Sequence, residues 1–327
     1  MRNEPWLLKP QKTKEILQRY GIRMQKKFGQ NFLIDAHVPE KIVAAADITG
    51  TDFVIEIGPG IGTLTQYLCQ AAGSVATVEI DRHLLPVLEE TLADWDNVEV
   101  ISGDVMKLDL AALIEAKTAE LAAALQAGAG GITGEPAEAG AAEPAVSDAG
   151  ASSVSVKVVA NLPYYITTPI LMKLLEEELP IDSITVMIQK EVADRMQAAP
   201  GTAAYGALSL AVQYYAEPKL SAIVPPNCFV PRPNVESAVI HLARRAPAER
   251  IQVQDSGKMF AIIKAAFAQR RKTLVNALRN AADLRKEDGT SYSREEAEQA
   301  LTACGFPLTI RGEALGLQEF AKLSDIL

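Results

Sequence analysis

The sequence contains few of the residues that build metal sites and disulfides. It has only 3 cysteines and 3 histidines in 327 residues. The cysteines are far apart and match no zinc or disulfide spacing, which excludes a disulfide framework and fits a reducing compartment. The histidines are scattered along the chain, so we predict no metal site.

Long apolar runs are also absent. No run is long enough to span a bilayer. The first residues carry several lysines and arginines without an apolar segment behind them, which does not match a signal peptide. We therefore predict a cytoplasmic protein without a membrane partner, and we expect a monomer.

The charge is acidic overall but unevenly distributed. The net charge of −9 argues against a nucleic-acid partner when taken alone. However, residues 1–29 hold eight Lys/Arg, and residues 258–282 hold six. Such clusters are typical of a protein that binds a polyanion. Considered singly, either cluster is better explained as a solvated helix face.

A βαβ unit with a glycine-rich turn is predicted in the first third of the chain. A strand at 52–57 is followed by the glycine turn at 58–62, a helix, and a second strand at 74–80. Glycines let the backbone approach a ligand closely, and Glu79, about 20 residues on, can accept hydrogen bonds from a ribose. The pattern favours nucleotide-type binding over a structural turn. Asp104, after a third strand, could reach an adenine amino group, although a turn aspartate is the simpler interpretation.

Strand and helix patterns alternate as far as residue 246, and the pattern beyond is helical. We therefore predict a basic arm at 1–22, an α/β domain at 23–246 and a small helical domain at 247–327. Residues 127–153 are rich in Ala, Gly, Ser, Pro and Glu, and bury too little to offset ordering entropy. We predict a disordered surface insertion there.

A short polar and aromatic stretch follows the apolar run at 156–160. It reads Asn161-Leu162-Pro163-Tyr164, and a helix start, Thr168-Pro169, comes soon after. The stretch is predicted to lie at the carboxyl end of a strand, which is where open α/β sheets bind ligands. On its own it is better explained as a turn with Asn and Pro.

Six segments together resemble the rRNA adenine dimethyltransferase family, especially its bacterial members that act on small-subunit rRNA. They occur in family order and cover about 22–327. The segments are Phe28-Gly29-Gln30-Asn31-Phe32-Leu33, Glu56-Ile57-Gly58-Pro59-Gly60-x-Gly62, Glu79-Ile80-Asp81, Gly103-Asp104, Asn161-Leu162-Pro163-Tyr164 and Phe229-x-Pro231-x-Pro233-x-Val235-x-Ser237.

The resemblance implies a Rossmann-like methyltransferase sheet with S-adenosylmethionine (SAM) as the methyl donor. Glu79 would hold the ribose hydroxyls, Asp104 would read the adenine amino group, and Asn161 would be shared with the acceptor. The residues implied to bind SAM are Asn31, Leu33, Gly58, Gly60, Glu79, Asp104 and Asn161.

The resemblance also implies the acceptor, two adjacent adenines in the 3′-terminal hairpin loop of small-subunit rRNA in the immature 30S subunit. Asn161 and the carbonyl of Leu162 would accept hydrogens of the 6-amino group, and Pro163 would fix that carbonyl. Tyr164 and Phe229 would sandwich the flipped base. On local grounds Phe229, which lies on a proline-stiffened loop, is equally well explained as a core anchor. The residues assigned to RNA binding are Lys26, Lys27, Arg270, Arg271 and Lys272.

Three other functions share part of this pattern. A nicotinamide dehydrogenase would have the glycine turn and the acid, but not the stretch at 161–164. A large-subunit rRNA methyltransferase or a non-catalytic RNA-binding assembly factor would also keep the basic clusters. An assembly factor would not need Glu79, Asp104 and Asn161 together.

Overall fold

The computed structural model describes residues 4–8, 10–22, 31–129, 154–282, 284–286 and 288–327. The strands are β1 (Phe32–Leu33), β2 (Phe53–Ile57), β3 (Ser74–Glu79), β4 (Val98–Ser102), β5 (Val156–Asn161), β6 (Ser183–Gln189), β7 (Ala216–Val224), β8 (Phe229–Val230) and β9 (Ser237–Arg244). The helices are α1 (Pro10–Arg19), α2 (His37–Ala46), α3 (Thr63–Ala71), α4 (Leu85–Thr91), α5 (Leu110–Ala129), α6 (Thr167–Glu176), α7 (Lys190–Gln197), α8 (Ala207–Tyr215), α9 (Ser256–Ala268), α10 (Leu274–Arg279), α11 (Arg294–Ala303) and α12 (Leu317–Ile326).

A seven-stranded sheet has the order β4-β3-β2-β5-β6-β9-β7. β2 pairs in parallel with both β3 and β5, and the parallel pairing continues to β4 and to β6. From β2 the chain adds β3 and then β4 on one side of the sheet. It then returns to the other side of β2, where it adds β5 and then β6. This is a topological switch point, where open α/β sheets bind ligands. The predicted α/β fold with a parallel sheet is confirmed.

The central strands are apolar because both faces of the sheet are covered. All five residues of β2 are buried, and β6 is buried except at its last residue. Such near-continuous apolar runs are typical of parallel strands. The edge strand β7 was not predicted. It contains Pro218, and several of its residues are exposed, which is how proline and polar residues are accommodated at a sheet edge.

The amino-terminal segment is folded onto the protein. The buried Gln66 side chain accepts hydrogen bonds from the N–H groups of Trp6 (2.9 Å) and Leu7 (3.1 Å). Leu7 and Ile16 are buried in one cluster with Phe32, Ile61, Leu84 and Val87. The sequence predicted a basic arm here; the structure adds an apolar helix face, which anchors the segment.

The chain divides into two compact units. The first contains Met1–Ile188 and Ser221–His241, and the second contains Gln189–Leu220 and Leu242–Leu327. The predicted boundary at 246/247 differs from this division, since the second unit also takes in α7 and α8. Helix α7 packs with α8, and α8 packs with helix α9 of the same unit, where Tyr214 and Tyr215 contact Phe260. The predicted insertion at 127–153 overlaps the end of α5, and its remaining residues lie outside the described part of the chain.

Candidate active site

A cleft opens in the first unit at the carboxyl ends of β2 and β5. It contains about 790 Å³ of open space. Two predicted segments meet here because their strands are neighbours: the glycine turn follows β2, and the stretch at 161–164 follows β5. The lining residues are Asn31, Phe32, Leu33, Glu56, Gly58, Pro59, Gly60, Thr63, Leu64, Glu79, Ile80, Asn161, Leu162, Pro163, Tyr164 and Tyr165.

The glycine turn has a backbone that side chains rarely permit. Gly58 and Gly60 have φ of 70° and 62°, in the left-handed region. A Cβ at Gly60 would lie 3.3 Å from the Phe32 ring, whereas a Cβ at Gly58 would meet nothing within 4 Å. Gly60 thus lets the backbone pack under Phe32. Gly58 leaves the cleft side of the turn open.

Glu79 is positioned by main-chain donors. Its Oε2 accepts from the N–H of Gly60 (3.2 Å), and its Oε1 accepts from the N–H of Asp81 (2.8 Å). Burial raises the pKa of Glu79, although these hydrogen bonds oppose the shift. Each carboxylate oxygen can accept more than one hydrogen bond, so Glu79 retains acceptor capacity toward a ligand.

A second buried carboxylate, Glu56, lies beside this site. Its Oε2 accepts a 2.6 Å hydrogen bond from the Thr65 hydroxyl. Burial raises the pKa of Glu56 to about 7. Thr63 also lines the cleft, and its buried hydroxyl has no hydrogen-bond partner among the described residues. An unpaired buried hydroxyl costs free energy and is satisfied when a polar ligand group binds.

Asn161 is oriented by Asn31, one of the residues that the family resemblance implies to bind the donor. Its side-chain Nδ2 donates to the main-chain carbonyl of Asn31 at 3.3 Å. The amide nitrogen is therefore directed to the protein, and Oδ1 is the acceptor left for a ligand. The N–H of Leu162 donates to the carbonyl of Met187 (3.0 Å), which extends the β5–β6 pairing into the stretch.

Tyr164 lies half-buried at the cleft. Its hydroxyl is 2.7 Å from the hydroxyl of Ser237, the first residue of β9. Burial raises the pKa of Tyr164, so this phenol is neutral at physiological pH. The turn that carries the ring is fixed by Thr167, whose hydroxyl donates to the carbonyl of Pro163 at 3.1 Å.

Two residues of the predicted site do not line the cleft. Phe229 is only 3% exposed and packs in the core with Leu33 and Val239. It is buried because β8 pairs with β1, opposite Leu33. Asp104 follows β4, and its Oδ1 accepts from the N–H of Met106 (3.0 Å). The roles assigned to Phe229 and Asp104 stay predictions, and a stacking role requires the Phe229 ring to leave this core.

Of the basic residues assigned to RNA binding, the structure describes three and leaves two outside the described part of the chain. Lys26 and Lys27 lie outside the described residues. Arg270, Arg271 and Lys272 are exposed just after α9 in the second unit. Arg270 also donates to two main-chain carbonyls, of Ala203 (3.1 Å) and Tyr205 (2.9 Å).

Several cleft residues were not predicted as site residues. Glu56 and Thr63 flank the glycine turn, and the burial of such polar side chains is not readable from a strand or helix pattern. Ile80 and Tyr165 are 51% and 58% exposed. Each directly follows a predicted site residue, Glu79 or Tyr164, and large exposed apolar side chains at a cleft are typical of ligand contacts.

Two kinds of feature are absent from the described residues. No group of three or more His, Cys, Asp and Glu side chains in that part of the chain could hold a metal ion. Within the same residues, no helix is long and apolar enough to cross a membrane.

Comparisons with known proteins identify a family and a fold. The family model described as ribosomal RNA adenine dimethylase matches residues 21–298. Proteins named ribosomal RNA small subunit methyltransferase A are 50% identical in Lachnoclostridium phytofermentans and 46% identical in Alkaliphilus metalliredigens, and each match covers 97% of this chain and 96% of the relative.

Two solved structures are similar in fold. A dimethyladenosine transferase from Plasmodium falciparum has a TM-score of 0.65 at 22% identity, covering 89% of this chain and 95% of that one. The 23S rRNA methyltransferase ErmE has a TM-score of 0.56 at 23% identity, covering 91% and 99%. At these identities the likeness supports the fold alone.

Proposed function

We infer, from the premise that this chain belongs to the ribosomal RNA adenine dimethylase family, that it dimethylates the 6-amino groups of adenines in small-subunit rRNA. It is a SAM-dependent methyltransferase. The observation that carries this function is the meeting of two segments in one cleft. The glycine turn with Glu79 suits a nucleoside donor, and the stretch at 161–164 suits an amino-group acceptor.

The cleft residues fit SAM. The turn at Gly58 leaves open space on its cleft side, and Glu79 keeps acceptor capacity for ribose hydroxyls. The unpaired Thr63 hydroxyl at the start of α3 supplies a hydrogen-bonding group for the polar methionine end. We propose Asn31, Leu33, Gly58, Gly60, Glu79, Asp104 and Asn161 as the cofactor-binding residues. When bound, SAM supplies an electrophilic methyl group.

Asn161 is proposed to activate the acceptor nitrogen. The lone pair of an adenine 6-amino group is conjugated with the ring, so this nitrogen is a poor nucleophile. Before the first methyl transfer, Oδ1 of Asn161 and the carbonyl of Leu162 would accept hydrogen bonds from its two N–H groups and turn the nitrogen toward tetrahedral geometry. Both bonds strengthen as the nitrogen gains positive charge, so they favour the transition state over the ground state. The proton can leave after transfer, and no strong base is needed.

Tyr164 is proposed to hold the flipped base. The acceptor must leave the RNA stack to enter a cleft, and an aromatic face compensates for part of the lost stacking. Pro163 stiffens the turn between this ring and the acceptor carbonyl of Leu162. Phe229 packs against Leu33 of β1 in the described structure. We propose that it supports β1 at the cleft, or that its ring stacks on the flipped base together with Tyr164 when RNA binds.

The natural partner is rRNA, and we propose the immature 30S subunit as the form recognised. We further propose that the chain acts as a monomer in the cytoplasm. In this proposal the first unit carries out methyl transfer, and the exposed basic residues of the second unit, Arg271 and Lys272, bind phosphates. Residues Lys26 and Lys27 keep their predicted role in RNA binding.

A methyl-transfer assay tests the function. Purified protein is incubated with SAM and, in separate reactions, with immature 30S subunits or with 50S subunits, and the rRNA nucleosides are quantified by mass spectrometry. We expect dimethyladenosine at two adjacent positions near the 3′ end. Methylation of the large-subunit rRNA instead would contradict the proposed substrate, and RNA binding without methyl transfer would contradict the proposed activity.

A further inference from the structure

Ser237 closes the motif that begins at Phe229, and the mechanism above gives it no role. It is fully buried (0% exposed) at the first position of β9. Its neighbours Ala238 and Val239 are also buried and apolar. A buried position at the start of an apolar strand does not call for a hydroxyl, because alanine fills nearly the same space. The hydroxyl therefore has a reason other than packing.

That reason lies in its contact with Tyr164. The two hydroxyl oxygens are 2.7 Å apart, an ordinary distance for an O–H···O hydrogen bond. The residues are separated by 73 positions in the sequence, so the contact joins the loop after β5 to the start of another strand. Both residues belong to the first unit.

The contact fixes the orientation of the tyrosine ring. At its backbone end the ring is held by the turn at Pro163, whose carbonyl accepts from the Thr167 hydroxyl and the Ile166 N–H. At its other end the phenol is held by Ser237. A ring with two side-chain torsions that is fixed at both ends presents one face and loses little entropy when a base stacks on it.

We propose that Ser237 is a positioning residue for methyl transfer, which holds the Tyr164 ring in the orientation that receives the flipped adenine. The inference rests on the proposed function. It adds a residue that touches neither the adenine nor the donor and acts through the tyrosine. Because the phenol stays neutral, either hydroxyl can donate to the other at physiological pH.

A double-mutant cycle tests the proposal. Ser237→Ala and Tyr164→Phe each remove one partner of the same hydrogen bond and keep the ring. We expect each to slow single-turnover methylation of immature 30S subunits by about 3- to 10-fold, the loss of one hydrogen bond. The double variant should be no slower than the slower single variant, because the interaction is lost only once.

Three further measurements separate positioning from a structural role. The SAM dissociation constant, the 30S dissociation constant and the melting temperature of Ser237→Ala should stay close to wild type, so that only the rate of transfer falls. A matched control is Ser183→Ala, which removes another buried serine hydroxyl at the start of β6. We expect the control to methylate at the wild-type rate.

The outcomes are distinguishable. Independent, multiplicative slowing in the double variant, or a wild-type rate in Ser237→Ala, would overturn the positioning role. A loss of SAM affinity or melting temperature that accounts for the slower rate would assign Ser237 to the fold instead. Wild-type protein that leaves adenine unmethylated would overturn the proposed function, and this inference with it.

Discussion

The carboxylate of Glu79 has a main-chain donor on each oxygen and still lines the cleft. In the proposed complex it accepts hydrogen bonds from both ribose hydroxyls. Glu79→Ala removes them, and at ~1 kcal/mol per bond the SAM affinity should fall by about 10-fold or more. Calorimetric titration with SAM measures this. Glu89→Ala, on the exposed face of α4, removes the same charge outside the cleft and should bind SAM like wild type; equal affinities for all three proteins would contradict the cofactor site.

Glu56 predicts how stability depends on pH. Burial raises its pKa from 4.5 to about 7 in the folded protein, so the folded state binds the proton more tightly than the unfolded chain. This contribution to stability is fully present below pH 4.5 and is lost as pH rises to about 7. The shift corresponds to ~3 kcal/mol.

Glu56→Gln removes this titration while keeping a group of the same shape. We expect the melting temperature of the variant to change less between pH 5 and pH 7 than that of wild type, because the pKa of Glu56 shifts across this range. Calorimetry at a series of pH values measures this. Thr65→Val is a control that removes the hydrogen-bond donor to Glu56 and leaves the titrating carboxyl in place. Parallel pH profiles for wild type and Glu56→Gln would show that burial does not raise the pKa of Glu56.

Single residues were predictable only where a motif names them. Asn161 ends strand β5 and Tyr164 follows it, and the carboxyl ends of the parallel strands all lie at the same edge of the sheet. The Ser237 contact could not be foreseen, since it depends on how β9 lies against β6 in the sheet order. The local sequence left Phe229 as either a stacking residue or a core anchor, and the pairing of β8 with β1 places its side chain in the core.

At the scale of elements, the turn after α9 is the proposed phosphate-binding segment. Arg271 and Lys272 are exposed there, while the guanidinium of Arg270 is engaged by the carbonyls of Ala203 and Tyr205. The three cations are therefore not equivalent. Arg271 and Lys272 can direct their charge to RNA, and Arg270 also stabilises the loop at 203–205.

Replacing Arg271 and Lys272 by Ala should weaken RNA binding. It should also reduce the slope of log K for RNA binding against log salt concentration by roughly 0.7–0.9 for each phosphate that is no longer bound. RNA affinity measured over a series of salt concentrations gives this slope. A control double variant at Lys286 and Arg294 removes two cations that already pair with glutamates, and we expect its slope to match wild type. If the Arg271/Lys272 variant also keeps the wild-type slope, the phosphates bind elsewhere.

Of the insertion predicted at 127–153, residues 130–153 come after α5, which ends at Ala129, and before β5, which begins at Val156. Replacing 130–153 with a short Gly/Ser linker should leave the melting temperature and the methylation rate unchanged, because its composition supplies no core. Thermal unfolding and the methyl-transfer assay check this. A large fall in either value would give the segment a structural or RNA-binding role.

The basic residues of the amino-terminal helix α1 do not by themselves indicate an RNA-binding site. Its lysines and arginines suggest a polyanion site, yet the Arg19 side chain pairs with Glu90, and Lys12 pairs with Glu15. Leu7 and Ile16 bury the other face of the segment. The helix has only ten residues, and Ile16 and Leu17 are its two large aliphatic side chains, so tertiary contacts rather than propensity set its packing.

At the scale of the whole molecule, the sheet was predictable because its strands are short apolar runs that alternate with helices. The strands predicted at 52–57 and 74–80 agree to within one residue with β2 (Phe53–Ile57) and β3 (Ser74–Glu79). The boundary between the two units was harder to predict, because α7 and α8 continue the strand–helix alternation in sequence, whereas in the structure α7 packs with α8 and α8 packs with α9. Contacts between distant segments, which no local pattern records, decide such boundaries.

The central claim is that Asn161 activates an adenine amino group at the switch point of this sheet. A charge-assisted hydrogen bond that strengthens in the transition state is worth ~1.5–3 kcal/mol, or roughly 10- to 150-fold in rate. Asn161→Ala should therefore lose most of its methyl-transfer rate. Its affinity for RNA, which phosphate contacts dominate, should not change.

Single-turnover methyl transfer to immature 30S subunits, with dimethyladenosine counted by mass spectrometry, measures this directly. Asn227→Ala, at an exposed asparagine of the same unit, is the control and should react at the wild-type rate. We expect dimethyladenosine from wild type, and in Asn161→Ala a methyl-transfer rate lower by about 10-fold or more at unchanged RNA affinity. A wild-type rate in Asn161→Ala, or a methylated base other than adenine, would contradict this role of Asn161.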